Sequence, residues 1–128
     1  MSFIDTQKYC ESRFAANFTA LPIAWQNVEF EPTPDIAYVE FGVFEADSIA
    51  VALSDVLYRN VGTISVNIYV PLNTGLQTAK GYADSVKTIF AGQTFNSITC
   101  RAASVTTLGE VDGWHVTNVS VPYFWDSE

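Results

Sequence analysis

The side chains that could do chemistry are few, and their spacing suits no common catalytic arrangement. His115 is the single histidine and stands beside Trp114 in an alternating apolar stretch, so a metal cluster built from His and Cys is not expected. One histidine could still serve a nucleophile, but no Gly-x-Ser-x-Gly elbow accompanies it, and a structural or surface role is the expectation. Cys10 and Cys100 lie far apart with no CxxC, which suits buried free thiols better than a disulfide or a metal pair. The stretch "NTGLQTAKG" has its lysine inside a helical pattern and too few glycines for a phosphate loop, whereas a capped helix start accounts for all of it. The acid pairs Glu29 with Glu31 and Asp47 with Asp55 fall in turns or strand flanks, where carboxylates are solvated rather than set to face each other across a substrate. "NFT" at Asn17 and "NVS" at Asn118 read as chance glycosylation matches. These residues imply no catalytic centre, no cofactor and no metal.

Composition points the same way. The 128 residues make one domain by length, spanning 1–128, and 48% hydrophobic with 14% aromatic content is ample for a packed core. Fourteen acids against six bases give a net charge of −8, which disfavours unaided binding to a nucleic-acid backbone. No apolar run approaches the ~20 residues of a membrane span, and "MSFIDTQKYC" lacks the basic-then-apolar order of a secretory signal. The expectation is a protein made and kept in a cytoplasm.

Ser2 with Asp5 has capping-box character, and Phe3, Cys10, Phe14 and Phe18 recur at helical spacing, so a first helix is expected over 3–18. Pro22, Pro32 and Pro34 then make 21–35 an extended connection. Alternation predicts strands over 36–45 and 48–54, and a third in "GTISVNIYVP", where Ile64, Val66, Ile68 and Val70 oppose Ser65, Asn67 and Tyr69. "TGLQTAKGYADSVKTIFAG" predicts a second helix capped by Thr74 and ended by Gly92, with Leu76, Ala79, Ala83, Val86 and Phe90 on one stripe widened by Tyr82 and Ile89. Lys80, Asp84 and Lys87 take its opposite face. Two further strands, 95–107 and 113–125, are joined around Asp112-Gly113, a turn signal. The order αβββαββ predicts an α+β domain, with a mixed or antiparallel sheet of about five strands and two helices packed on one face.

If the helices cover the face that carries Val39, Phe41, Ile64, Val66, Ile68 and Val70, parity turns Tyr38, Phe44 and Tyr69 to the other side. Tyr123, Phe124 and Trp125 are consecutive, so they cannot all share one face. An apolar second face of this kind marks an interaction surface, which makes Trp25, Phe30, Tyr38, Phe44, Tyr69, Tyr123, Phe124 and Trp125 candidate interface residues. The competing readings are a curled sheet that buries these rings internally and, for Trp25 and Phe30, a loop pinned onto the domain's own core.

The ordered segments "RFAANF", "IAWQNVEFEP", "GTISVNIYVPLNTG", "AKGYADSVKTIF" and "VSVPYFW" cover nearly the whole chain. Together they resemble the tail terminator, or tail completion, proteins of long-tailed bacteriophages. The distinctive motifs, W-x-N-x-x-F-x-P and a strand ending V-P before a glycine-led helix, are structural. The resemblance implies a non-enzymatic virion protein that forms a ring, usually a hexamer, on the head-proximal end of the tail. Such a ring stops polymerisation of the tail tube protein and offers a surface to the head–tail connector, or head completion protein. DNA would pass through without specific binding, six copies multiplying the −8 charge along a repelling channel. Assembly would take place in the host bacterial cytoplasm, with no membrane partner. Another connector or minor tail component, or a small ligand-binding domain or enzyme with a pocket under the Pro-rich segment, are the alternative readings.

Overall fold

Ser2 starts the first helix as the sequence leads one to expect: its hydroxyl accepts from the Asp5 amide, and α1 runs Phe3–Asn17. The computed structural model describes residues 1–52 and 57–127. Thr6, Cys10 and Phe14 form the buried stripe of α1, while Phe3 at its start stays half exposed. After Phe18 the chain enters β1 (Ile23–Trp25), then β2 (Tyr38–Ala52), β3 (Leu57–Pro71), α2 (Leu76–Phe90), β4 (Thr94–Phe95), β5 (Ile98–Cys100), β6 (Ser104–Val111) and β7 (Trp114–Ser127).

The fold is α+β, but with seven strands where about five are expected. β1 to β5 and β7 follow the order β1-β2-β3-β7-β5-β4, and β6 pairs β7 beyond β5. Three departures explain the difference. The two strands expected over 36–45 and 48–54 are one strand, β2, because a bulge between Glu45 and Ser48 lets pairing with β3 continue; Leu53 and Ser54 lie outside the described residues. The strand expected over 95–107 is three, broken first at Asn96 and Ser97, whose φ values of 48° and 68° make a tight hairpin turn. The Pro-rich connection holds a strand of its own, β1, parallel to β2 through Ile23↔Val39 and Trp25↔Phe41.

Both helices lie on the face expected for them. Val39, Phe41, Ile64, Val66, Ile68 and Val70 are all buried there, against Phe14 of α1 and Ala79, Ala83, Val86 and Phe90 of α2. Phe14 is the hub: its ring stacks on Phe18, Phe41 and Phe90 at centroid distances of 5.0, 4.8 and 6.0 Å and meets Trp25 edge-on. Its burial alone contributes about 1.5–3 kcal/mol before entropy is counted. Arg13 ties the helices together by donating from Nε to the Ile89 carbonyl at 2.8 Å.

The start of α2 differs from expectation. Gly75, not Thr74, is the N-cap, and no side chain caps the helix, since the Thr74 hydroxyl donates instead to the Pro71 carbonyl. Leu76, in the first turn, is 52% exposed rather than in the apolar stripe. At the other end Gly92 has φ +69°, the left-handed geometry that follows a helix terminus.

Candidate functional site on the sheet face away from the helices

Strand register decides where each candidate residue goes. On β7, Tyr123 pairs with Gly62 and Trp125 with Asn60, both core-facing positions of β3, so Tyr123 and Trp125 turn inward. They are 2% and 3% exposed and belong to the core; the interface expectation is corrected for these two. Gly62 has no side chain because Tyr123 takes its space: a Cβ there would lie 2.5 Å from the Tyr123 hydroxyl. Phe124 faces outward, partly covered by the guanidinium groups of Arg59 and Arg101 at 4.2 and 4.9 Å from its ring centre. Arg59 also holds Asp126 in a two-pronged pair of 2.9 and 3.1 Å, and that hydrogen bonding keeps the Asp126 carboxyl below its ordinary pKa.

Trp25 also packs inward, edge-on to Phe14 and Phe41, which is the pinned-loop reading for this residue. Phe30 does not follow it. It leaves the β1 turn, where Asn27 adopts φ +57°, and packs on Tyr38 on the outer face at 5.0 Å. Tyr38 in turn stacks on Tyr69 at 4.6 Å, with Trp114 edge-on to it at 5.2 Å. Burial first, then the negative charge of Glu40, pushes the Tyr69 phenol up to about 12, and the same two causes raise Tyr38. Both phenols stay protonated donors at neutral pH.

Beside this aromatic ladder runs a polar one that the alternation in "ISVNIYV" only half reveals. Asn118 donates to Ser65 Oγ at 2.9 Å and to Asn67 Oδ1 at 2.8 Å, and accepts from Ser120 at 2.7 Å. Asn67 donates onward to Glu40 Oε1 at 3.1 Å. The "NVS" asparagine is thus the centre of a cross-strand network. Only the pairing Glu40↔Asn67↔Asn118 would have shown it.

Phe44, 53% exposed, closes the other side of the network; its ring lies over Gly42, where a Cβ would come within 2.7 Å. Between Phe44, Glu40, Asn67 and the overhanging segment of Gln26, Phe30 and Pro32 is a cavity of about 340 Å³. Gln26 fixes that overhang: its Oε1 accepts from the Val43 amide at 2.9 Å and its Nε2 donates to the Val43 carbonyl at 3.2 Å. The side chain thereby continues the β1–β2 ladder after β1 has ended.

The residues with chemical potential do not gather here. His115, on β7, lines a small cavity with Thr74 and Leu76 at the start of α2, and its Nδ1 is buried with no hydrogen-bond partner among the described residues. Cys10 and Cys100 are free and buried. Burial pushes their thiols up to about 12 and about 11, reinforced at Cys10 by Cys100 and Glu11 and partly offset at Cys100 by Arg13. Glu29, Glu31 and Asp47 are exposed, and Asp55 lies outside the described residues. Among the described residues no group of three or more His, Cys, Asp or Glu could hold a metal ion, and no helix is long and apolar enough to cross a membrane.

The arrangement can bind: rings and amides lie on one sheet face, beside a cavity that contains a carboxylate. One solved structure, 22% identical in sequence, superposes with a TM-score of 0.67 over 93% of this chain and 94% of its own, which shows a shared fold. A search of curated proteins gave no match. The family model described as phage tail terminator protein matches residues 7–123. The chain therefore belongs to the phage tail terminator family, structural proteins of the virion tail that contact other tail components.

Proposed function

We propose that this protein caps the head-proximal end of a phage tail tube as a ring of identical copies, usually six, ending tube growth and presenting the surface to which the head joins. The observation that carries the reading beyond family membership is the outer sheet face, where Phe30, Tyr38, Tyr69 and Phe44 surround a polar network with no helix of the described residues over them. Rigid aromatic rings beside satisfied amides are what the centre of a protein interface is made of.

The sheet edges support a head-to-tail contact. Among the described residues β6 pairs only with β7, while the far half of β2, beyond Val43, pairs only with β3. Val105 and Leu108 are exposed at the first edge, Ile49 and Val51 at the second. Two different surfaces on one subunit make a heterologous contact, the kind that closes into a ring. Weak contacts of this type gain strength on a template, so closure awaits the tube end. The acidic chain suits a channel that lets DNA pass without gripping it.

Electron microscopy of tails assembled with and without the protein tests this. Tubes of uniform length with a cap at the head-proximal end, seen only when the protein is present, are expected. Unchanged lengths without a bound ring would refute termination and move the assignment to another head–tail connector.

A further inference from the structure

The cavity under the Gln26–Pro32 overhang has a composition that names its occupant. Its walls carry the aromatic side chains Phe30, Tyr38 and Phe44, and within it stands one carboxylate, Glu40, with no lysine or arginine in the lining. Both hydrogen bonds that Glu40 accepts among the described residues, from Asn67 at 3.1 Å and weakly from Tyr69 at 3.5 Å, go to Oε1. The single ion pair among the described residues is Arg59 with Asp126, so among them Glu40 pairs with no cation.

We propose that this cavity receives an arginine side chain from a different protein that docks on the outer face. A guanidinium can pair in its plane with a carboxylate while its faces lie against aromatic rings, a combination an ammonium group matches less well. The protein already uses this chemistry on itself: Arg59 pairs with Asp126 while it lies over Phe124, and Arg13 and Arg101 lie over Phe95, at 4.7 Å, and Phe124. Those are all of its arginines, and each already lies over a ring of its own subunit, so a neighbouring copy could fill the cavity only by giving up such a contact. A different protein gives up no such contact, and for it the charge of −8 supplies general attraction and Glu40 the specific one. The volume, about 340 Å³, is near the lower end for ligand cavities and accommodates one long side chain with part of its backbone.

The inference rests on reading this face as a docking surface and not on ring closure, so it is tested on the free subunit. Nitrogen-15 labelled protein would be titrated with acetyl-Gly-Arg-Gly-amide, and in parallel with peptides carrying lysine or norleucine in place of arginine. The arginine peptide is expected to shift the Trp25 indole, the Asn67 side-chain amide and the Glu40 amide, with at least tenfold weaker binding of the other two. Glu40→Gln, a substitution at an exposed carboxylate, should keep the melting temperature and lose tenfold or more of the arginine-peptide affinity. Equal binding of the norleucine peptide would reduce the site to an apolar cleft and overturn the proposal, as would equal binding of the lysine peptide or undiminished binding by Glu40→Gln. Tail-capping by the same variant, read by microscopy, separates failure of this site from failure of the terminator reading.

Discussion

Trp125→Ser and Phe44→Ser remove one large aromatic ring each, and strand parity predicts that they act on different properties. Trp125 is 3% exposed, packed in the core with Phe3 edge-on to it at 5.4 Å. Truncating a buried Trp costs about 3–5 kcal/mol, from lost transfer energy and the cavity left behind. For a chain of this length the unfolding entropy converts each kcal/mol into about 4 °C of melting temperature, so Trp125→Ser should melt roughly 12–20 °C lower. Phe44 is 53% exposed and lies over Gly42 without entering the core. Its truncation forfeits about half of the 1.5–3 kcal/mol that full burial would contribute, about 0.75–1.5 kcal/mol, or about 3–6 °C.

Thermal melts followed by circular dichroism measure the first effect, and counting capped tubes by microscopy measures the second. The expected outcome is a crossed pattern: Trp125→Ser lowers the melt strongly, while Phe44→Ser lowers it by only a few degrees and impairs capping. A Phe44→Ser melt lowered as far as that of Trp125→Ser would refute the assignment of faces. Normal capping by both Phe44→Ser and Tyr38→Ser would refute the outer face as the working surface.

Three further substitutions or conditions probe the framework. Gly62→Ala should lose about 1–3 kcal/mol, since the new methyl group meets the Tyr123 ring on one side and the Phe44 carbonyl, at 2.7 Å, on the other; an unchanged urea midpoint would count against that packing. Gln26→Ala removes both side-chain bonds to Val43 and should cost about 1–3 kcal/mol, seen most directly as faster hydrogen exchange at the Val43 amide. The Cys10 and Cys100 thiols, raised to about 12 and about 11, favour the folded state while protonated. Their contribution is complete below the unfolded thiol value near ~8.5 and is lost as pH rises through the folded values, at up to about 1.4 kcal/mol per pH unit for each thiol. Urea midpoints should therefore fall between pH 8 and pH 10.5, and fall less in a Cys10→Ala, Cys100→Ala variant.

Period-two alternation was enough to assign the faces of β2 and β3, because Ile64, Val66, Ile68 and Val70 leave no second choice of side. Helical periodicity located α2 for the same reason. What sequence did not reveal are features that depend on a partner strand. The bulge in β2 sets two residues against one of β3 and has no signature within β2 itself. β1 is three residues long and exists through its pairing with β2. The hairpin turn at Asn96 and Ser97 uses left-handed backbone without a glycine to announce it.

The same dependence governs the candidate site. Glu40, Asn67 and Asn118 come from three strands and meet only when those strands are in register. That register also sends Tyr123 and Trp125 inward, and a slip of one residue would exchange the two faces of β7 along its whole length. Gly62 resists such a slip because it alone makes room for Tyr123, and Asn60 resists it by donating to the Trp125 carbonyl and Ser127 Oγ while bonded to Ser48 on its other side. Core and docking face are therefore two consequences of one alignment. A substitution at Gly62 or Asn60, neither of which lines the cavity, should disturb the outer network as well as stability, whereas Glu40→Gln should touch only the cavity.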